Sequence, residues 1–404
     1  MSLNTCQFSD LLEILLKTKL LKPTILSLSF LSILSGAAIS PALGRIQQAF
    51  PEASQLTIQM ILTLTPLFII PFSLLTGRFS WIFSKRKILF VGLVIYLIAG
   101  VGGGLMNSIP LILFMRALLG VGTGLISALS LSLIADFYHG DERSTTMGQS
   151  SAIATLGGIF LTILSGWLAL YSWRFAFGVY LVSLIVLIMV WFSLPESPAN
   201  RQISKKSGKL PLGVYGMGFL TILLMVVFYL IPARIALFIQ STGIGDAGQS
   251  GISIGTMNLA AFLVGMAFGQ IRKFLKSIAT LLALLSLGGG LLAMNFVETF
   301  PGILVSLFIA GMGIGILMPT IFLITANMVS NEQNGPALSL TNSSLYLGQF
   351  ISPLVFSLLG SLFHFQHIRD EFLVSGILTI IAAAIFLFWS LFKKRRSDAH
   401  FQQS

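Results

Sequence analysis

Charge is the scarcest property of this 404-residue chain: Asp, Glu, Lys and Arg make up 9% of it, while 55% is hydrophobic. Soluble domains carry about a quarter charged residues, so the deficit excludes a water-exposed surface over most of the chain and leaves an integral membrane protein. The apolar residues come in long helical runs, not in the short alternation of an outer-membrane barrel. Cysteine is nearly absent. Cys6 alone excludes an intramolecular disulfide framework and a cysteine-rich metal site. Of only four histidines, three are His364, His367 and His400, and no metal-ligand spacing is present. Also missing are paired carboxylates, a nucleophile beside a base, and a phosphate-cradling glycine loop ending in Lys-Ser/Thr. These absences argue against an enzyme and an ATP-driven pump, and no cofactor is expected.

Acids are the scarcer sign, 13 against 24 Lys and Arg, for a formal charge of +11. In a soluble chain that excess would point to nucleic acid; here it is first a question of topology. Hydropathy marks twelve apolar segments, six between 24 and 194 and six between 212 and 392, the eighth and ninth at 249–270 and 277–297. The fold class expected is therefore an all-α polytopic membrane protein of twelve helices in two six-helix halves. The rest is an N-terminal segment at 1–23, a polar linker at 195–211 and a tail at 393–404. Every cation except Arg45, Arg116, Arg174, Arg234 and Arg369 falls in the alternate set of connections that includes both termini and the linker. Cationic flanks stay on the cytoplasmic side, so both termini are expected in the cytoplasm of a multi-pass protein of the cell's inner membrane. The excess charge then requires no nucleic-acid partner. A cleaved leader is not expected, because Asp10 and Glu13 interrupt the start and the apolar span after Pro23 runs on past Gly36. Leu11 to Leu21 reads either as an amphipathic helix on the inner leaflet or as a frayed tail.

Three local patterns recur at nearly one offset. Gly77-Arg78-Phe79, leading to Lys85-Arg86-Lys87, is echoed by Gly269-Gln270-Ile271 with Arg272, Lys273 and Lys276. Gly120-x-Gly122-x-Gly124 is echoed by Gly311-x-Gly313-x-Gly315, and Leu156-Gly157 by Leu347-Gly348, both 191 residues on. A shared offset near half the chain predicts two parallel six-helix halves with a central site between them.

With these motifs the sequence resembles the major facilitator superfamily of secondary transporters, and within it the twelve-helix drug:proton antiporter branch. The resemblance spans almost the whole chain. Gly77 and the cations Lys85, Arg86 and Lys87 match the family's loop after the second helix, although Trp81 stands where an acid is usual and Ser84 where a second glycine is. Arg116 with Gly120, Gly122 and Gly124 matches the fourth helix. There the resemblance implies a role for Arg116 in proton coupling or in packing beside the cavity. Asp136 and Arg143, bracketing Asp141 and Glu142, resemble the following loop, which implies bracing of the cytoplasmic gate. In the fifth helix Gly157, Gly158 and Gly166 with Trp173-Arg174 are similar to the antiporter motif, but Leu161 and Thr162 replace its glycine and proline. The repeat mate keeps Gly348, Gln349 and Pro353.

Sorting the acids places none at mid-membrane: eight fall on the cytoplasmic side, and Glu52, Asp246, Glu298, Asp370 and Glu371 fall in outer loops. The spans instead offer Arg116 and Arg234, with Arg45 at an outer end. Cations without local acids attract anions, and arginine's fork suits carboxylate or phosphate. Gln59, Tyr229, Asn258, Asn342 and Gln349 are further polar residues expected to face the interior. The expectation is a monomeric, proton-linked exporter of a small anionic, zwitterionic or amphipathic compound, a drug or siderophore-like metabolite. Its partners would be that solute, membrane lipid and protons. Uptake of an anionic nutrient or metal chelate, and a sensor or scaffold on the same fold, are the alternatives.

Overall fold

The computed structural model describes residues 5–195, 209–330 and 333–401, and every element in them is helical. A chain embedded in lipid must satisfy its own backbone hydrogen bonds, and for long apolar segments the helix does so within each segment. The helices are α1 (Thr5–Ala37), α2 (Leu43–Ala49), α3 (Gln55–Ile82), α4 (Lys85–Gly102), α5 (Ile109–Phe137), α6 (Gly140–Tyr171) and α7 (Val182–Ser193). After the linker come α8 (Leu212–Ser241), α9 (Ala247–Met266), α10 (Phe268–Leu275), α11 (Ser277–Ala293), α12 (Phe300–Asn327), α13 (Asn334–Phe363) and α14 (Ile368–Phe401). Most of the linker expected at 195–211, with Arg201, Lys205 and Lys206, lies outside the described residues.

Ten helical stretches are long and apolar enough to cross a membrane, and they correspond to ten of the twelve expected spans. The other two differ from expectation. The segment expected at 249–270 is not one straight helix: α9 and α10 meet at Ala267 with a bend of 62°. The segment expected at 277–297 is the shorter α11, which ends at Ala293. The first helix also begins within the expected N-terminal segment and runs without a break through Pro23.

Contacts divide the chain into two units, Met1–Lys206 and Ser207–Ser404. In the first, α5 packs between α3 and α4, and α1 lies against α6. In the second, α12 packs between α9 and α11, and α8 lies against α13. The turns between helices are locally specified. Ser54 caps α3 by accepting from Thr57 N at 3.2 Å. Asp246 and Gln249 form a reciprocal capping box at the start of α9. In the turn after α8, which ends at Ser241, Gly243 has a φ of +69° that suits glycine.

Candidate functional site

Arg116 is completely buried on α5. Its Nε donates to the Ile61 carbonyl on α3 at 2.6 Å, one terminal nitrogen to the Ser35 carbonyl on α1 at 2.9 Å, and the other to Tyr180 Oη at 2.7 Å. Tyr180 lies in the 3-10 stretch Phe175–Leu181 that leads into α7. No carboxylate among the described residues is within ion-pair distance of Arg116, so carbonyl and phenol dipoles take the place of a counter-charge. An intramembrane arginine costs about 2.5–3.5 kcal/mol on insertion scales, and charge-assisted hydrogen bonds at three points offset it.

Arg234 is different. It is buried on α8, and its guanidinium clasps Glu371 through two bonds, Nε to Oε2 at 2.7 Å and a terminal nitrogen to Oε1 at 2.5 Å. Glu371 is 6% exposed. This corrects the reading of the acids: Glu371 does not stand in an outer loop, because α14 already begins at Ile368 and its fourth residue is turned inward against α8. Arg234 is therefore not an intramembrane cation without an acid. Its positive charge is met by the negative charge of Glu371.

At the end of the first unit where α4 begins, Lys85 donates to Asp136 at 2.5 Å and to Ser132 Oγ at 2.6 Å, tying α4 to α5. Asp136 thus serves Lys85, and Arg143, which was grouped with Asp136, is exposed on α6. Arg86 donates to the Trp191 carbonyl at 2.6 Å and lies 5.7 Å from that ring's centre. Lys87 is exposed, and a methyl group added at Gly77 would meet nothing within 4 Å.

The repeated glycines have an interleaved logic. A Cβ at Gly120 would lie 2.5 Å from the Thr65 carbonyl and one at Gly124 2.9 Å from that of Ile69, both on α3. At Gly122, between them, it would lie 2.8 Å from the Gly92 carbonyl on α4. In the second unit Gly311 and Gly315 meet the carbonyls of Met257 and Ala261 on α9, and Gly313 meets that of Ala283 on α11. Gly157 faces the Phe30 ring and Gly158 the Ile33 side chain, Gly348 would clash with the Ile222 carbonyl at 2.8 Å, and Gly166 and Pro353 are buried.

Gln59 and Tyr229 are buried and already engaged. Asn258 and Gln349 are half-buried, and Asn342 is exposed. Sequence reasoning missed a chain of hydroxyls, Ser150 to Ser29 at 2.5 Å and Ser29 to Ser130 at 2.6 Å, that joins α6, α1 and α5.

It also missed two arginine clamps. Arg174 donates to the carbonyls of Gly104 and Met106, each at 2.9 Å. Arg369 donates to those of Asn295 and Val297 at 3.0 and 2.9 Å. The two pairs of acceptors are related by the same 191-residue offset as the glycines. Arg45, placed by the sequence at an outer end, donates to the Leu170 carbonyl at 3.2 Å.

Comparison with known proteins gives these features a context. The profile of the Major Facilitator Superfamily matches residues 25–282 and 275–403. The bacillibactin exporter of Bacillus subtilis (strain 168) is 24% identical over 354 residues, covering 80% of this chain and 85% of that one. Multidrug resistance protein 2 of the same organism is 24% identical over 343 residues, covering 80% and 83%. Among solved structures, the xylose transporter XylE from E. coli shares the fold, with a TM-score of 0.72 at 16% identity over 91% of this chain and 95% of that one.

Proposed function

Because the chain belongs to the major facilitator superfamily, and is on that ground a multi-pass membrane transporter and not an enzyme, we propose that it is a proton-linked exporter of a small zwitterionic or amphipathic solute. The observation that carries this reading is the buried Arg234–Glu371 pair. A carboxylate held within the spans can bind either a proton or the cationic group of a solute, and the two compete. That competition is what exchange of one for the other requires. A purely anionic solute behaves in the opposite way. It needs Arg234 freed, which happens when Glu371 is protonated, so anion and proton bind together and travel the same way. The pair thus favours export for a solute bearing a positive group and uptake for a plain anion, and the bacillibactin exporter among the relatives favours export. In this reading the protein works as a monomer in the cell's inner membrane with both termini cytoplasmic, and Arg116 with the glycines of α5 holds the first unit together.

The test is proton flux. In everted membrane vesicles holding an acid interior, a transported zwitterionic or cationic amphipath should dissipate the gradient in the presence of the protein, and Glu371→Gln should abolish the effect. Solute movement that persists unchanged in Glu371→Gln, or after an uncoupler collapses the gradient, would overturn the reading. Dissipation by carboxylate-only solutes with alkaline interiors would favour uptake instead.

A further inference from the structure

The two units part company where α3 and its counterpart end. In the first unit α3 runs through Gly77 to Ile82, and Lys85 just beyond it is held by Asp136 and Ser132. In the second, the chain turns by 62° into α10, and Lys276, at a φ of +46°, closes it off from α11. At the 191-residue offset that relates Gly92 to Ala283 and Gly122 to Gly313, Lys85 corresponds to Lys276, Asp136 to Asn327 and Ser132 to Leu323. The cation survives; the acid and the hydroxyl that held it are gone. Lys273 and Lys276 are exposed and their ammonium groups have no hydrogen-bond or ion-pair partner among the described residues, and Arg272 lies 6.0 Å over the ring of its own Phe268. Of this unit's acids, Asp246, Glu298, Asp370 and Glu371 stand at its other end, Asp398 lies near the end of α14, and Glu332 lies outside the described residues.

Beside these cations the surface is apolar. Phe268 and Ile271 pack against the unit's core, whereas Phe274 is 80% exposed and Ile278, the second residue of α11, is 56% exposed. Three cations around an uncovered aromatic suit neither bulk water nor hydrocarbon. The surroundings that satisfy both are the boundary between acyl chains and negatively charged headgroups. We propose that α10 and Lys276 form a binding site for an anionic phospholipid. Arg272, Lys273 and Lys276 take the phosphodiester, and Phe274 and Ile278 lie along the first carbons of the acyl chains. Only the choice of leaflet rests on the sidedness proposed above; the binding itself does not depend on transport.

The full chain carries one cysteine, so a spin label can be placed at Phe274→Cys in a Cys6→Ser background. In nanodiscs of phosphatidylcholine with phosphatidylglycerol, the label should become more accessible to oxygen and less to chelated nickel than in phosphatidylcholine alone. The preference for retained phosphatidylglycerol, read by native mass spectrometry, should fall on the order of tenfold in R272Q/K273Q/K276Q. K393Q/K394Q/R395Q, which removes the same charge from the tail, should leave it unchanged. If the first triple variant does not fold, high salt applied to the unmodified chain should weaken the preference in its place. The proposal is overturned if the label reads the same in both lipids, if the two charge-removing variants lower the preference equally, or if soluble glycerol phosphate displaces the lipid.

Discussion

Arg116 and Arg234 are both buried arginines, yet their surroundings assign them different work. Arg116 is held by two carbonyls and a phenol, none of which carries a full counter-charge. Arginine's planar fork reaches all three at once, and lysine cannot. Arg116→Lys should therefore destabilise the protein by about 3 kcal/mol through lost charge-assisted bonds, read as thermal unfolding in detergent; an unchanged melting temperature would remove Arg116 from its structural role. For Arg234 the partner is a carboxylate, so removing one side leaves a buried charge. Glu371→Leu alone should cost about 3–5 kcal/mol, whereas the double variant with Arg234→Met should recover most of that loss without recovering transport. A double-mutant cycle showing simple additivity would contradict the coupling. The sequence made Arg234 conspicuous but hid its partner. Glu371 follows Arg369 and Asp370, a polar run that reads as a connection, and only the start of α14 at Ile368 shows that the fourth residue has already entered the packed unit. The clamps of Arg174 and Arg369 were invisible for another reason: apart from Asn107 Oδ1, which also accepts from Arg174 at 2.7 Å, their acceptors are backbone carbonyls, which carry no sequence mark.

At the scale of the helix, the glycines on α5 and α12 were legible as a pattern, because small residues at every second position let one helix approach two neighbours at once. Which neighbour each one serves was not legible, since that depends on the crossing of three helices. A methyl group at Gly122 would press on the α4 backbone, and one at Gly313 on α11. Gly122→Ala and Gly313→Ala should each cost about 1–3 kcal/mol by overpacking, measured by thermal unfolding. Gly77→Ala should be nearly neutral in the same assay, so any loss of transport there would have to arise outside the packing of its own unit. The bend between α9 and α10 was not foreseen. No proline marks it, and the mean apolarity of 249–270 reads as one span even though the stretch after Ala267 turns amphipathic.

Across the whole molecule, the uneven placement of cations was the feature most directly readable from the sequence, and it bears on orientation more than on folding. With Cys6 replaced, a cysteine at Gly243 should react from outside the cell with a membrane-impermeant thiol reagent. One at Gln270 should react only after permeabilisation, and the reverse pattern would invert the topology. Both units also carry a clamp of one arginine on two carbonyls at the edge opposite their basic loops. Because a carbonyl is common to every residue, Met106, Asn295 and Val297 need not resemble one another to accept the same bond. Gly104 alone is confined, by the Arg174 carbonyl that a Cβ would approach to 2.7 Å. The rim thus concentrates its demand on sequence in very few positions. Two halves can drift apart until little of their common text remains and still be fastened in the same way.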